Sequence, residues 1–183
     1  MWYKEIEVNL GYRIDMVNKD FGYAISRGKG DINGKVYTYK NNNWTPFTSF
    51  SYSDYPSIIH LSDSSFLYLI HETHFGKYRP RLIKVERGKK EEFSLPPVMW
   101  DERDFTMWKG LSVINKDEFW LAGQKGNIIK YKNNRWLKEF VADLNSNSDN
   151  FLSNDINDIF MLSDTLGWAV TRSGSGHDNL SSY

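Results

Sequence analysis

The chain repeats itself. Tyr39-Lys40-Asn41-Asn42-Asn43-Trp44 returns as Tyr131-Lys132-Asn133-Asn134-Arg135-Trp136, and each copy follows a Gly-containing turn and a short apolar run. Upstream of these, Val17-Asn18-Lys19-Asp20-Phe21-Gly22-Tyr23-Ala24-Ile25 aligns without gaps on Ile114-Asn115-Lys116-Asp117-Glu118-Phe119-Trp120-Leu121-Ala122. A third copy is Leu162-Ser163-Asp164-Thr165-Leu166-Gly167-Trp168-Ala169-Val170. The first two copies lie about twice as far apart as the last two, so a further unit must occupy the gap. Leu61-Ser62-Asp63-Ser64-Ser65-Phe66-Leu67-Tyr68-Leu69 is that unit in degenerate form.

Each unit divides into four short strands, a to d. Strand a is 13–17, 57–61, 111–114 and 157–162; strand b carries the aromatic, as in Tyr23-Ala24-Ile25 and Trp120-Leu121-Ala122. Strand c is 36–39, 82–85 and 128–131, and strand d starts at Trp44 and Trp136. Strand b is apolar on both faces, so both faces of its sheet must be covered. A repeat of roughly 45 to 50 residues is the size of a β-propeller blade. The expected fold is all-β: about three and a half four-stranded antiparallel blades of a larger propeller of six to eight blades. The boundaries are an outer strand of a preceding blade at 1–8, blades at 12–49, 56–95 (degenerate) and 108–141, and the first half of a blade at 153–183. Trp2 to Val8 carries the strand-d pattern of Trp136 to Val141, which makes the remaining blades of the same propeller an expected partner.

Composition removes other classes. Lys+Arg and Asp+Glu are 23 each, which leaves no basic footprint for nucleic acid or an anionic membrane. No apolar run approaches the ~18 residues of a membrane span. With no Cys there is no disulfide framework, thiol nucleophile or thiolate ligand, and compartment stays open. Export to a bacterial periplasm or cell surface is one expectation, with a signal peptide outside this chain, since Met1-Trp2-Tyr3-Lys4-Glu5 lacks an apolar core.

Asp164-Thr165-Leu166-Gly167-Trp168-Ala169-Val170 resembles the Asp-x-x-Gly-Trp-Ala-Val-Gly blade signature of photosystem II stability/assembly factor-like propellers. The stretch from Phe119 to Tyr131, followed by Trp136, fits the same pattern. Leu152-Ser153-Asn154-Asp155-Ile156-Asn157-Asp158-Ile159 resembles the linker of two-component-regulator propellers, the sensory part of some bacterial histidine kinases. These resemblances imply a fold, and partner or ligand binding through variable loops without a shared catalytic set. The Ser-x-Asp-x-Gly-x-Thr-Trp box of sialidase propellers is absent.

Insertions in repeat proteins gather on one face, often the binding face. Here length varies in the b-to-c hairpins (26–35, 71–81, 123–126) and the d-to-a connections (45–55, 94–107, 142–153), which share one end of an up-and-down blade. The candidate ligand-binding residues are Arg27, Lys29, Tyr52, Tyr55, Arg81, Trp100, Lys125 and Arg172. The aromatics, with Trp108, would offer stacking platforms. The cations, with Arg79, would suit a carboxylate or phosphate if they project together. Packing between blades and solvated hairpin charge are the plainer readings.

His71-Glu72-Thr73-His74 is not the helical metal motif, because a three-residue separation on a strand points the imidazoles to opposite sides. Asp31-Ile32-Asn33-Gly34 lacks the later ligands of a Ca²⁺ loop, and Gly28-x-Gly30 has no following helix to hold a phosphate. No metal and no cofactor is expected. Asp101 with Glu102, and Asp155 with Asp158, lie in polar segments and make no catalytic pair without a known separation. The chain therefore reads as a non-enzymatic interaction module that binds a protein or other ligand, as a sensory or assembly domain of a larger bacterial protein. The alternative is a carbohydrate-binding or glycoside-active propeller whose catalytic groups lie outside this segment.

Overall fold

In the computed structural model, residues 11–27, 33–51, 53, 55–62, 64–74, 77–96, 107–140, 155–172 and 178–182 are described. They form two compact units, 1–94 and 95–183. Among them no helix is long and apolar enough to cross a membrane.

Unit 1 holds two four-stranded antiparallel meanders. The first runs β1 (Gly11–Asn18), β2 (Phe21–Ser26), β3 (Gly34–Lys40), β4 (Asn43–Phe50). The second runs β5 (Ser57–Ser62), β6 (Ser65–His74), β7 (Lys77–Glu86), β8 (Lys89–Phe93). Unit 2 has one four-stranded sheet, β9 (Trp108–Asn115), β10 (Glu118–Gly123), β11 (Ile128–Lys132), β12 (Arg135–Phe140). A three-stranded sheet follows, β13 (Asp155–Met161), β14 (Gly167–Arg172), β15 (Asp178–Ser182). That third strand exceeds the half blade expected at 153–183; with one apolar residue in Asp178-Asn179-Leu180-Ser181-Ser182 it carries no alternation by which to see it. The opening strand expected at 1–8 lies outside the described residues.

The strand c to strand d turns explain why the Asn pairs recur. Asn41, Asn42, Asn133 and Asn134 have φ of 54°, 57°, 54° and 59°, and Arg87 with Gly88 fills the corresponding place at 49° and 79°. Two consecutive positive φ values make a type I′ turn, whose twist matches that of the flanking strands, and Asn and Gly tolerate it best. Tyr39 Oη donates to Asn42 Oδ1 at 3.1 Å, and Tyr131 Oη to Asn134 Oδ1 at 3.3 Å. Pro46 sits on the outer strand β4 beside a register shift, where its missing N–H breaks no ladder.

The two sheets of unit 1 meet through one apolar cluster. Tyr23, Ile25, Val36 and Phe50 come from the first, and Ile58, Phe66, Tyr68, Ile70, Ile83 and Val85 from the second. The Tyr23 and Phe66 rings are 4.3 Å apart. In unit 2, Trp120 and Ala122 pack on Ile156, Ile159 and Ala169. Polar joints border both seams at matching repeat positions. Asp15 Oδ2 accepts from the His60 N–H and pairs with His60 Nδ1 at 2.8 Å; Ser112 Oγ accepts from the Met161 N–H at 2.8 Å. In unit 2 a buried pair, Lys130 Nζ to Glu118 Oε1 at 3.0 Å, adds Lys132, which reaches Asp164 Oδ2 at 3.3 Å in the neighbouring sheet. Lys130 also lies 4.7 Å over the Trp120 ring.

A Cβ added at Gly34 would fall 2.3 Å from the Phe50 ring and 2.8 Å from the Ser26 carbonyl oxygen, so the ring lies flat on this backbone. Gly34→Ala is expected to cost about 1–3 kcal/mol, as overpacking does. Asn134→Ala is expected to cost about 1 kcal/mol through its positive φ, while Asn134→Gly keeps wild-type stability. Urea unfolding of the three variants measures both.

Candidate functional site

Within each sheet, the b-to-c hairpin and the strand termini that lead to the next sheet lie at one end. In the first sheet this follows from register: Gly11 pairs with Ser26, and Gly34 with Phe50. The connection from the first sheet to the second is short, 51–56, because β4 continues to Phe50; the expected loop at 45–55 is mostly strand. The expected loop at 71–81 is also strand. β6 and β7 run on beyond β5 and β8, pairing His71 with Pro80, Glu72 with Arg79, Thr73 with Tyr78 and His74 with Lys77. Polar residues and a proline resemble loop composition, but the ladder pairs the inward-facing backbone groups, leaves the others to the open edges, and tolerates Pro80 where no further strand flanks β7.

Ser53 ties this end together. Its N–H donates to the Arg27 carbonyl oxygen at 3.4 Å, and its Oγ accepts from the His71 N–H at 2.9 Å. It is almost wholly buried, so these bonds form away from competing water. Ser26 Oγ accepts from the Lys35 N–H at 2.9 Å, and Arg13 Nη1 donates to Ser57 Oγ at 2.8 Å. Backbone and side chain thereby link the β2–β3 hairpin, the 51–56 connection and the β6–β7 ribbon.

The candidate residues fall into three groups. Arg27 is half-buried beside β2, and Tyr55 is half-buried in the 51–56 connection, within reach of the same Ser53 joint. Lys125 lies in the 3₁₀ turn Gln124–Gly126, and Arg172 closes β14 with register partners Asp155 and Asp178; both belong to unit 2. Lys29, Tyr52 and Trp100 lie outside the described residues, as do Asp101 and Glu102. Trp108 is buried in β9 and offers no open ring face.

Arg81 has a different setting from the free cation of the sequence reading. Its Nε and Nη2 donate to Glu92 Oε1 and Oε2 at 2.9 and 2.6 Å, and its Nη1 to Glu72 Oε1 at 2.7 Å. Register explains the geometry: Arg81 lies opposite Ile70, Glu72 is two residues on in β6, and Glu92 faces Ile83 from β8. A second guanidinium, Arg79, lies opposite Glu72 in the ladder and also acts on Glu92, so two arginines balance the two carboxylates here. The two carboxylates push the Arg81 guanidinium pKa up, chiefly through the Glu92 hydrogen bonds, and Arg81 holds the Glu92 carboxyl below its ordinary value. Burial raises the neighbouring Tyr68 phenol, with Arg81 opposing. Ser53, Glu72 and Glu92 are the participants that sequence reading missed. The only prior signal for the carboxylates is their parity with Arg81, which becomes readable once the hairpin register is known.

At the corresponding end of unit 2, Gln124 N–H donates to the Met107 carbonyl oxygen at 3.0 Å, and Met107 N–H to Gln124 Oε1 at 3.1 Å. Lys109 Nζ reaches Asp155 Oδ2 at 2.8 Å and Asn157 Oδ1 at 3.4 Å, joining β9 to β13. Asp158 Oδ1 accepts from the Ile159 N–H at 3.0 Å. Among the described residues no three His, Asp or Glu gather as a cation site.

The Glu92 carboxyl is more acidic folded than unfolded. Its contribution is thus complete above the ordinary carboxylate range and is lost as pH falls through the lower folded value. Because the pair is part-exposed and screened, Glu92→Gln is expected to cost about 1 kcal/mol or less near neutral pH. The gap from wild type should close between about pH 6 and about pH 3 in urea midpoints taken across that range.

No family model and no curated protein matches the chain. Among solved structures, YCF48 bound to a D1 peptide is similar, with a TM-score of 0.50 at 10% sequence identity over 90% of this chain. A protein from Lactobacillus plantarum covers 93% of this chain and 70% of its own, at 10% identity and a TM-score of 0.43. The chain spans 61% of the length of YCF48. Four-stranded antiparallel meanders and the first of these likenesses define the fold as all-β, a partial β-propeller.

Proposed function

We propose that the protein is a non-enzymatic interaction module that holds a protein segment against the end of its sheets where hairpins and inter-sheet connections meet. The observation that carries this reading is the Ser53 joint, which fixes the β2–β3 hairpin, the 51–56 connection and the β6–β7 ribbon to one another. A surface held in place before contact loses less conformational freedom on binding, and this is how rigid scaffolds turn loops into recognition surfaces. Arg27 and Tyr55 supply a cation and an aromatic ring there, beside the ion-paired trio of Glu72, Arg81 and Glu92.

Two further points support it. The carboxylates described at this end and at its counterpart in unit 2 are engaged: Glu72 and Glu92 by Arg81, Asp155 by Lys109. Engaged carboxylates suit structure better than acid–base work. YCF48, similar in fold, is bound to a peptide in its solved structure, so a scaffold of this kind accommodates such a partner. The blade signature at 164–170 and the resemblance of 152–159 to two-component-regulator propellers favour a role in assembly or sensing.

The test is side-specific capture. Proteins retained by the immobilised chain are identified, and their binding is remeasured with Arg27→Ala plus Tyr55→Ala, and with Lys19→Ala plus Asn42→Ala at the opposite end. The first pair is expected to weaken a genuine partner at least about tenfold, in line with loss of interface anchors; the second should leave it unchanged. Equal binding by all three proteins would overturn this placement, as would a glycan array that retains the chain where no protein does.

A further inference from the structure

Within unit 2 one sheet offers a tryptophan and the next receives it. Trp120, 6% exposed, packs on Ile159 and Ala169 with Met161 alongside. In the β13–β14 ladder Ile159 lies opposite Ala169, and Met161 opposite Gly167. A Cβ at position 167 would fall 2.3 Å from the Met161 sulfur, so the thioether lies directly on the glycine. The receiving surface is thus an isoleucine and a methionine laid across from an alanine and a glycine.

The same four residue types recur in the same ladder geometry in β1–β2. Ile14 lies opposite Ala24 and Met16 opposite Gly22, and a Cβ at position 22 would fall 2.4 Å from the Met16 sulfur. The repeat alignment puts the two sets at identical positions. Here the two outer residues are open, Ile14 63% exposed and Met16 37%, over a buried Gly22 and Ala24.

The converse holds in β13–β14. Trp168 occupies the repeat position of Trp120 and of Tyr23, both buried under the neighbouring sheet of their own unit. Trp168 is 41% exposed, and Phe160, across the ladder from it at a ring distance of 6.1 Å, is 61% exposed. Val170, two residues on, is exposed as well. A contiguous patch of this kind marks an association surface, unlike apolar residues scattered singly. Phe160 also replaces the hydrogen-bonding residue at its position, Asp15 in one repeat and Ser112 in another. A joint made at this position is apolar.

We propose that two copies of this chain associate head to tail, the Trp168–Phe160 face of one seating on the Ile14–Met16 surface of the other. The contact reproduces between copies the fit that Trp120 makes with Ile159, Met161, Gly167 and Ala169 within one. It is heterologous, with different surfaces from each copy. It uses the broad faces of the sheets and leaves the loop end described above uncovered.

Sedimentation of the purified chain, with circular dichroism to verify folding, tests this. Wild type is expected to associate at tens of micromolar, and Trp168→Ala and Met16→Glu each to weaken association at least about tenfold, the loss of an interface anchor. Mixing the two variants is expected to restore a dimer, since one keeps the open receiving surface and the other keeps the tryptophan. The absence of Cys allows a second readout: bis-maleimide should link Ile14→Cys to Phe160→Cys in a mixture, and neither variant to itself. A monomeric wild type, unchanged association of folded Trp168→Ala, or equal self-linking of Phe160→Cys would overturn the proposal.

Discussion

A sheet that is apolar on both faces cannot stand in water on either, and the architecture follows from that requirement. β6 states it most plainly. Phe66, Tyr68 and Ile70 join the cluster shared with the first sheet, while Leu67 and Leu69 point to the opposite face and are equally buried. An ordinary antiparallel sheet keeps one face solvated and alternates accordingly. Here β2, β6 and β10 are buried on both faces, so each of their sheets is only as stable as the cover it finds.

Cover of this kind creates a secondary problem at the strand a edge. β1, β5, β9 and β13 each end their sheet on one side, and an edge strand leaves every second N–H and C=O without a ladder partner. Where sheets meet, these groups are carried away from water and must find another acceptor. Asp15 and Ser112 meet that need for the N–H groups of His60 and Met161. The two residues differ in charge and size but act at the same repeat position, which indicates that the backbone group, more than the side chain, is what the position serves. The Lys109–Asp155 and Arg13–Ser57 contacts close the same seams nearer the loop end.

The parts legible from sequence are those governed by local chemistry. The repeat of Tyr-Lys-Asn-Asn before a Trp marked where strand c ends and strand d begins, and the apolar strand b announced cover on both faces, which holds for β2, β6 and β10 but leaves Trp168 and Val170 of β14 exposed. The illegible parts depend on register or on distant partners. Glu72, Thr73, Arg79 and Pro80 have the composition of a loop, yet they form a ribbon because the β6–β7 pairing carries on past its neighbours. Arg81 reads as a free cation until register brings Glu92, eleven residues away, to its two nitrogens. Ser53 has no signal at all in a serine-rich stretch; burial by two converging hairpins gives it its role. β15 is set by pairing with β14, which its own polar sequence does not suggest.

The tight turns at 41–42, 87–88 and 133–134 have an effect at the far end of the sheets. A two-residue turn with fixed backbone signs sets which residues lie opposite one another in the part of the hairpin next to it, as far as the register shifts at Val36/Tyr37 in β3–β4 and Ile128/Ile129 in β11–β12. Chain length at the other end is then released from any duty in alignment. Residues can be gained or lost there without moving a single core position, and the hairpins bear this out: a seven-residue span, a long ribbon and a single 3₁₀ turn cap otherwise comparable sheets. Such an arrangement separates variation in the hairpins from the constraints of folding, and it lets one end differ between sheets of the same plan.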